Sequence, residues 1–499
     1  MSSSRMTKLA LAGLNTIALL MALLAGRALA GSDEPLVRVS SSSPFADCPS
    51  AGLDDLLPTG EVEPVVVADP TDPDTAVTVW PQDRFRGIVA GVSDDRGRTW
   101  RRVVVPGLSR CTGGTFDYAD DLSLAAASDG VVHLSAHVFD ADRQRSGLLA
   151  TRSSDGGRTW SQPATLAAQA GGRDGEYAGG AIAAAPANPR AVYAVVPTFS
   201  YPSGPGGSFR GTVSFARSRN GGRSWQPPRS ILDTGADRLT TGHQLAVLPG
   251  GTLLDVFTLI DLRTDPQRPA LQVAMMRSSD RGGSWSPPTV IADLRSLGVA
   301  DPESGDPVAS GTRLQPALAV DPASGRVLVA WQDARFSHGQ ADAIALSWSR
   351  DGARTWSHPV KANATPTDVA HHNQQAFSPS LAAAADGTLG VSYFDFRFND
   401  EGVALATDRW LLRCRPTTSP PCAPPAGRET RLTATSFDMR QAHRLTQAGP
   451  PGFFLGDYQG LTDAGTDFLA VFAQPHQRDP ASVFARRVPA RTSHGGEDS

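Results

Sequence analysis

Short apolar runs separated by Gly, Pro and Asp recur over residues 62–489. Seven of them read as strands ending in a polar, often Asp/Arg, cluster. They are TAVTVWPQDR (75–84), VVHLSAHVFDADR (131–143), AVYAVVPTFSY (191–201), TLLDVFTLIDLR (252–263), RVLVAWQDAR (326–335), TLGVSYFDFR (388–397) and DFLAVFAQPHQR (467–478). Each follows a shorter segment and a tight turn, as in LSLAAASDG, AIAAAPANP, LAVLPGG, LAVDPASG and LAAAADG. Their small side chains suit strands crowded round an axis. Gly (49) and Pro (39) supply the turns and argue against long helices.

One motif punctuates five units. It reads Ser93-x-Asp95-x-Gly97-x-Thr99-Trp100, Ser153-x-Asp155-x-Gly157-x-Thr159-Trp160 and Ser218-x-Asn220-x-Gly222-x-Ser224-Trp225. It returns as Ser278-x-Asp280-x-Gly282-x-Ser284-Trp285 and Ser349-x-Asp351-x-Ala353-x-Thr355-Trp356. The Asp-equivalent positions are 60, 65, 60 and 71 residues apart, the mark of a repeat architecture. Asp and Ser side chains bond backbone N–H groups in a tight turn, and Gly supplies positive φ. The Trp buries a large apolar surface between neighbouring sheets. Such a turn is structural and predicts no chemistry.

These boxes resemble the Asp-box, or BNR repeat, of the sialidase superfamily. The resemblance implies an all-β fold, a β-propeller of four-stranded antiparallel blades. The unit count favours seven blades, with a six-bladed ring and one appended unit as the alternative. The seventh unit shows three strands, and LVRVS (36–40) is expected to supply its fourth and close the ring. The propeller then spans 62–490, preceded by a segment over 31–61 and followed by a disordered tail over 491–499.

The N-terminus reads as a signal peptide. Arg5 and Lys8 precede an apolar run from Leu9 to Gly26, followed by Ala28-Leu29-Ala30; an uncleaved anchor is the alternative. Cleavage after residue 30 takes the formal charge from −4 to −7. The mature chain is expected to be secreted, monomeric, without a membrane span and with no footprint for nucleic acid. Four cysteines in an exported chain favour disulfides over metal, and the pairings expected are Cys48–Cys111 and Cys414–Cys422.

Strand parity puts the boxes on one face and the second-to-third strand loops on the other, with the crossovers between units. Those loops bring Asp83 and Arg84, Asp140 and Arg143, Asp261 and Arg263, Asp333 and Arg335, Asp395 and Arg397, and Arg478. Such arginines either hold a substrate carboxylate bidentately or form one ion pair per repeat. The crossovers carry acid–tyrosine pairs, Asp117-Tyr118, Glu176-Tyr177 and Asp457-Tyr458, with Asp120 and Asp121 after the first. His243, His371 and His372 also fall there, as does Glu303.

The superfamily's mechanism uses a Tyr nucleophile with a carboxylate base, an Asp acid/base, and arginines on the substrate carboxylate. By resemblance, Tyr458 becomes the nucleophile, Glu176 the base, and Asp120 or Asp121 the acid. Arg84, Arg263, Arg335, Arg397, His371 and His372 become the substrate-binding set. The family's F-R-I-P motif is absent; the nearest string is Phe85-Arg86-Gly87. No cofactor is expected, although Asp120, Asp121 and Asp457 offer hard oxygen ligands for calcium. The functional expectation is an exo-acting glycoside hydrolase on extracellular glycans, with a non-catalytic glycan- or protein-binding propeller as the alternative.

Overall fold

The computed structural model describes residues 34–49, 59–83, 85–170, 176–177, 179–200, 208–308, 312–400, 402–415, 422, 428–445 and 451–490. The expected signal peptide, the tail from residue 491, Arg84 and most of the loop between Cys414 and Cys422 lie outside these residues. Among the described residues there is no α-helix, and no helix is long and apolar enough to cross a membrane.

The chain forms four-stranded antiparallel units in sequence order. The first holds Val65–Asp69, Asp72–Gln82, Gly87–Ser93 and Arg101–Val104. The second holds Tyr118–Ala126, Val132–Phe139, Arg145–Ser153 and Ala164–Ala170. The third holds Ala181–Ala185, Asn188–Ser200, Arg210–Ser218 and Arg229–Ala236. The fourth holds Arg238–Val247, Leu253–Asp261, Ala270–Ser278 and Thr289–Asp293, and touches the third through one parallel bridge, Arg210 to Arg238. The fifth holds Ala317–Val320, Val327–Asp333, Ala343–Ser349 and Val360–Lys361. The sixth holds Ala376–Ala383, Leu389–Asp395, Ala406–Cys414 and Arg428–Arg431.

The seventh unit is Gly460–Ala464, Asp467–His476 and Asp479–Pro489, with Val37–Arg38 paired antiparallel on its outer edge. Val37 faces Ala485 and Arg38 faces Phe484, while the Val39 and Ser40 amides donate to the Val483 carbonyl. The first strand of each unit adjoins the first strand of the next, and that of the seventh adjoins that of the first. This arrangement is consistent with a β-propeller.

The apolar cores follow the same order. One unites Val77, Val79, Leu134 and Leu149 of the first two units with Trp160. Another unites Val66 and Val89 of the first unit with Val471 and Val483 of the seventh, against Trp100. Trp225, Trp285 and Trp356 sit in the cores between units two and three, three and four, and four and five. Each sheet buries both faces, so its strands carry long apolar runs.

The Trp-bearing turns share one hydrogen-bond pattern. Ser93 Oγ donates to Asp95 Oδ1 at 2.9 Å and accepts from the Gly97 amide at 2.7 Å; Asp95 accepts from the Thr99 amide and hydroxyl at 2.9 and 2.6 Å. The turn at Asp351 repeats this with 2.8, 2.9, 3.0 and 2.6 Å. Gly282 sits at φ +82°, and a Cβ there would lie 2.1 Å from Phe215 Cε1. Ala353 holds the same slot at φ 64° because its methyl is accepted by the core between units four and five. Gly282→Ala is therefore expected to cost about 2–4 kcal/mol, combining left-handed strain with overpacking. Urea unfolding reads this, and an unchanged midpoint would show that Phe215 moves freely.

Both expected disulfides form, Cys48–Cys111 and Cys414–Cys422. A small extra sheet builds on two crossovers. Val299–Ala300 and Pro307–Val308, between units four and five, join His443–Leu445 and Gly452–Phe454, between units six and seven. Arg440 fastens the two crossovers together through Asp301, at 2.7 and 2.9 Å, and Glu303.

Candidate active site

A cavity of about 300 Å³ runs where the first strands meet. Every unit contributes to its wall, from Val65 and Val66 in the first to Gly460 and Leu461 in the seventh. None of the five box tryptophans lines it.

A one-residue bulge opens the wall at the same slot in several units. Register shifts fall between Asp120 and Ser123, between Thr241 and Gln244, and between Phe377 and Ser380. The bulged residue has left-handed backbone in each: Asp121 at φ 45°, Gly242 at 66°, Ser378 at 50°. In the first unit Glu63, at φ 55°, stands at the matching place, two residues before Val65. A bulge re-aims a side chain without ending the sheet. Here it places two carboxyl groups on adjoining units.

Asp121 lines the cavity, and so does Tyr458, just ahead of the seventh unit's first strand. The Leu122 amide donates to Tyr458 Oη at 2.6 Å. Asp120 Oδ1 lies 2.6 Å from His137 Nδ1. The ligand atoms of Asp120, Asp121 and His137 lie within 4.8 Å of one another. Glu63 is buried, and its Oε1 accepts from the Asp457 amide at 3.2 Å. Behind this group, Val62, Tyr118, Phe139, Leu455, Phe453, Val299 and Val308 belong to one buried apolar cluster. The small extra sheet thus packs against the residues that flank the acids. The cavity lies where crossovers enter the first strands, since Gly179, Gln315 and Tyr458 are on its wall.

Burial dominates the electrostatics. It pushes Asp121 up to about 7, with the Asp120 charge adding to it and His137 opposing. It lifts Glu63 well above its ordinary value, reinforced by Asp121, Asp457 and Asp120. It also raises the Tyr458 phenol, together with Glu63 and Asp121, against the Leu122 hydrogen bond. Burial works against the His137 imidazolium, but Asp120 outweighs it and the net shift is upward. Titratable groups set apart in this way are the raw material of acid–base chemistry.

The other expected residues fall elsewhere. Arg263 is bidentate to Asp261, at 2.9 and 2.5 Å, and Arg335 to Asp333, at 2.8 and 2.7 Å. Arg397 bonds Asp395 at 2.7 Å and Glu429 at 2.5 Å, and lies over the Trp410 ring. These contacts are ion pairs within their own units, and none of the three arginines lines the cavity. Asp140 pairs with Arg145, while Arg143 lies over Phe139. Glu176 pairs through its backbone with Phe199, and its side chain is outside the described residues. His371 and His372 are exposed on a short 3-10 turn. The axial cavity also takes in His243, whose Nδ1 faces buried Asp255 at 2.9 Å.

The residues that could hold a cation are Asp120 and Asp121 with His137, a set in which His137 stands where Asp457 was expected. A metal there would have to displace the proton held between Asp120 and His137. Glu63 escaped the sequence reading because it precedes the first recognisable strand. Its signal was the bulge slot, which becomes visible only when the units are aligned on Asp121.

No protein-family model matches the chain, and no curated protein matches it. Among solved structures it is similar to a Penicillium chrysogenum α-L-arabinanase complexed with arabinobiose (12% identity, 72% of this chain and 94% of that one, TM-score 0.48). It is also similar to a Hadza microbial sialidase (14%, 84% and 74%, 0.46) and to the NanB sialidase of Streptococcus pneumoniae (9%, 83% and 83%, 0.44).

Proposed function

We propose that the chain is an exported Asp-box propeller of seven blades, closed by its N-terminal strand, and that it works as an exo-acting, retaining glycoside hydrolase. The observation that carries this reading is the presence of Tyr458 and Asp121 on one cavity, with Glu63 and Asp120 bearing on both. Tyr458 Oη attacks the anomeric carbon as its proton passes to Glu63 in its ionised form, the charge that acts most strongly on the phenol, and Glu63 returns that proton when the glycosyl–tyrosine bond breaks. Asp121, protonated in part near neutrality, gives its proton to the departing oxygen. Asp121 then takes a proton from the water that breaks the glycosyl–tyrosine bond. The Leu122 amide steadies charge on the phenolic oxygen.

The substrate is an uncharged sugar. Among the described residues no arginine lines the cavity, and several carboxyl groups crowd one end of it, so a sialic acid carboxylate would meet repulsion. A volume of about 300 Å³ stands at the small end of ligand sites, which run roughly 300–1,000 Å³, and suits a single terminal residue.

A panel of chromogenic glycosides, sialosides included, tests this. Turnover is expected on an uncharged glycoside, with kcat/KM falling roughly 10²–10⁴-fold in Asp121→Asn. Tyr458→Phe should abolish the covalent intermediate; turnover that survives it removes Tyr458 from the mechanism. Efficient sialoside cleavage would overturn the substrate class.

The second reading, a glycan-binding propeller without turnover, is favoured by a different surface. Phe398 is about half exposed and Val403 almost wholly so on one loop of the sixth unit. Reciprocal Asn373–Asn399 bonds tie that loop to the exposed His371 and His372 turn.

A further inference from the structure

Arg409 lies in the third strand of the sixth unit and is fully buried, one of the largest side chains in the protein with almost no exposure. Its guanidinium rests over the Phe394 ring, 4.5 Å from the centroid. It donates to the Ser378 carbonyl at 2.7 Å and to Ser380 Oγ at 2.8 Å, and among the described residues it meets no carboxylate. A guanidinium out of water without a counter-charge is expensive, and burial alone pulls its pKa down to about 9. Arg397 and Arg431 of the same unit, by contrast, each have an acid partner. Arg409 therefore stands out as a charge spent on neutral acceptors.

Those acceptors lead to the cavity. Ser378 is the bulged, left-handed residue of its unit, and Ser380 lines the cavity. Ser380 Oγ passes the connection on by donating to the Gln459 carbonyl at 2.7 Å. Gln459 follows Tyr458 directly. Its side chain clamps both flanks of that turn, donating to the Leu455 carbonyl at 2.9 Å and accepting from the Ala473 amide at 2.7 Å. Ser380 Oγ accepts from the guanidinium and gives its one proton to the Gln459 carbonyl, so the two bonds form a directed relay.

We infer that Arg409 is a positioning residue for Tyr458, acting across the boundary between the sixth and seventh units through Ser380 and Gln459. It touches neither the cavity nor any substrate atom. The inference rests on the reading of Tyr458 as a reacting group only for its catalytic consequence, because the geometric link stands without it.

Hydrogen exchange on the whole protein separates the two. The Leu122 amide donates to Tyr458 Oη, so it reports where the phenol sits. In Arg409→Met the Leu122 amide is expected to exchange at least about tenfold faster, while Val391 and Leu412, ladder amides of the sixth unit's own strands, keep their rates. Ser380→Ala breaks the same relay without removing a charge and should reproduce the effect, which keeps the test open if Arg409→Met does not fold. Arg409→Lys, with one donor pointing at Ser380, should restore part of the protection. Unchanged Leu122 exchange in either variant overturns the inference, and so does faster exchange spread evenly over Val391 and Leu412. If the wild type cleaves no glycoside yet Leu122 responds, the hydrolase reading fails and the positioning stands. If it does cleave one, Arg409→Met should lower kcat with KM little changed.

Discussion

The protein is expected to melt several degrees higher at pH 5 than at pH 8. Asp121 is raised in the folded state to about 7 from 3.8. The folded protein thus binds more protons than the unfolded chain between these values, and stability falls as pH rises across about 4 to 7, then levels. Glu63 is raised and acts with the same sign. His137 is raised as well: its contribution is complete below its ordinary 6.5 and is lost as pH climbs through its folded value. The three share a sign, although each is set partly by the charge of the others and they titrate as one coupled group. For Asp121 alone, each unit of displacement is about 1.36 kcal/mol, so ionising it inside the cluster costs on the order of 4 kcal/mol. Below about pH 4 the order reverses, because Asp261 and Asp301 are held down to about 2, one chiefly by Arg263 and the other by Arg440 against its burial. Asp121→Asn should raise the melting temperature at pH 8 and flatten the profile, since asparagine tolerates left-handed backbone. Calorimetry at four or five pH values checks it; a variant less stable than wild type at pH 8 would show that the carboxylate is welcome there.

Removing the two disulfides separately is expected to give unequal losses. Cys48–Cys111 spans 63 residues and Cys414–Cys422 only 8. Loop entropy puts the first near 4 kcal/mol and the second near 2–3 kcal/mol. The long bridge also fastens the N-terminal segment on which the edge of the seventh unit depends. There Val39 is wholly buried, the Val483 amide donates to Ser40 Oγ at 2.9 Å, and Arg38 meets Asp479 at 2.9 Å. The double serine variant at 48 and 111 should therefore fray Val37–Arg38 and lower the urea midpoint markedly. Equal losses for the two bridges would mean that the N-terminal strand holds its place without the covalent tie.

Much of this architecture could be read from residues. The Ser-x-Asp-x-Gly turns, the alanine-rich first strands and the strand LVRVS all reappear where local chemistry demanded them. The site was less legible. Tyr458, Asp120 and Asp121 stood out as irregular residues in crossovers, and the fold brings them together. Glu63 belongs to no repeat motif, and it joins Asp121 only because the units meet around an axis. The small extra sheet was invisible, being built from segments of two and three residues drawn from crossovers more than 100 residues apart. Arg409 sits in ATDRWLLRC, where alternation says only that its neighbours are buried. That a cation shares their fate depends on two serines from another strand.

The bulge slots decide where a repeat fold of this kind can acquire new chemistry. Glu63, Asp121, Gly242 and Ser378 are four residues on one recurring left-handed backbone kink. Of the four, Asp121 and Gly242 line the cavity, and a Cβ at Gly242 would lie 2.3 Å from the Leu314 carbonyl oxygen, so the same kink admits a carboxylate beside one unit and forbids any side chain beside another.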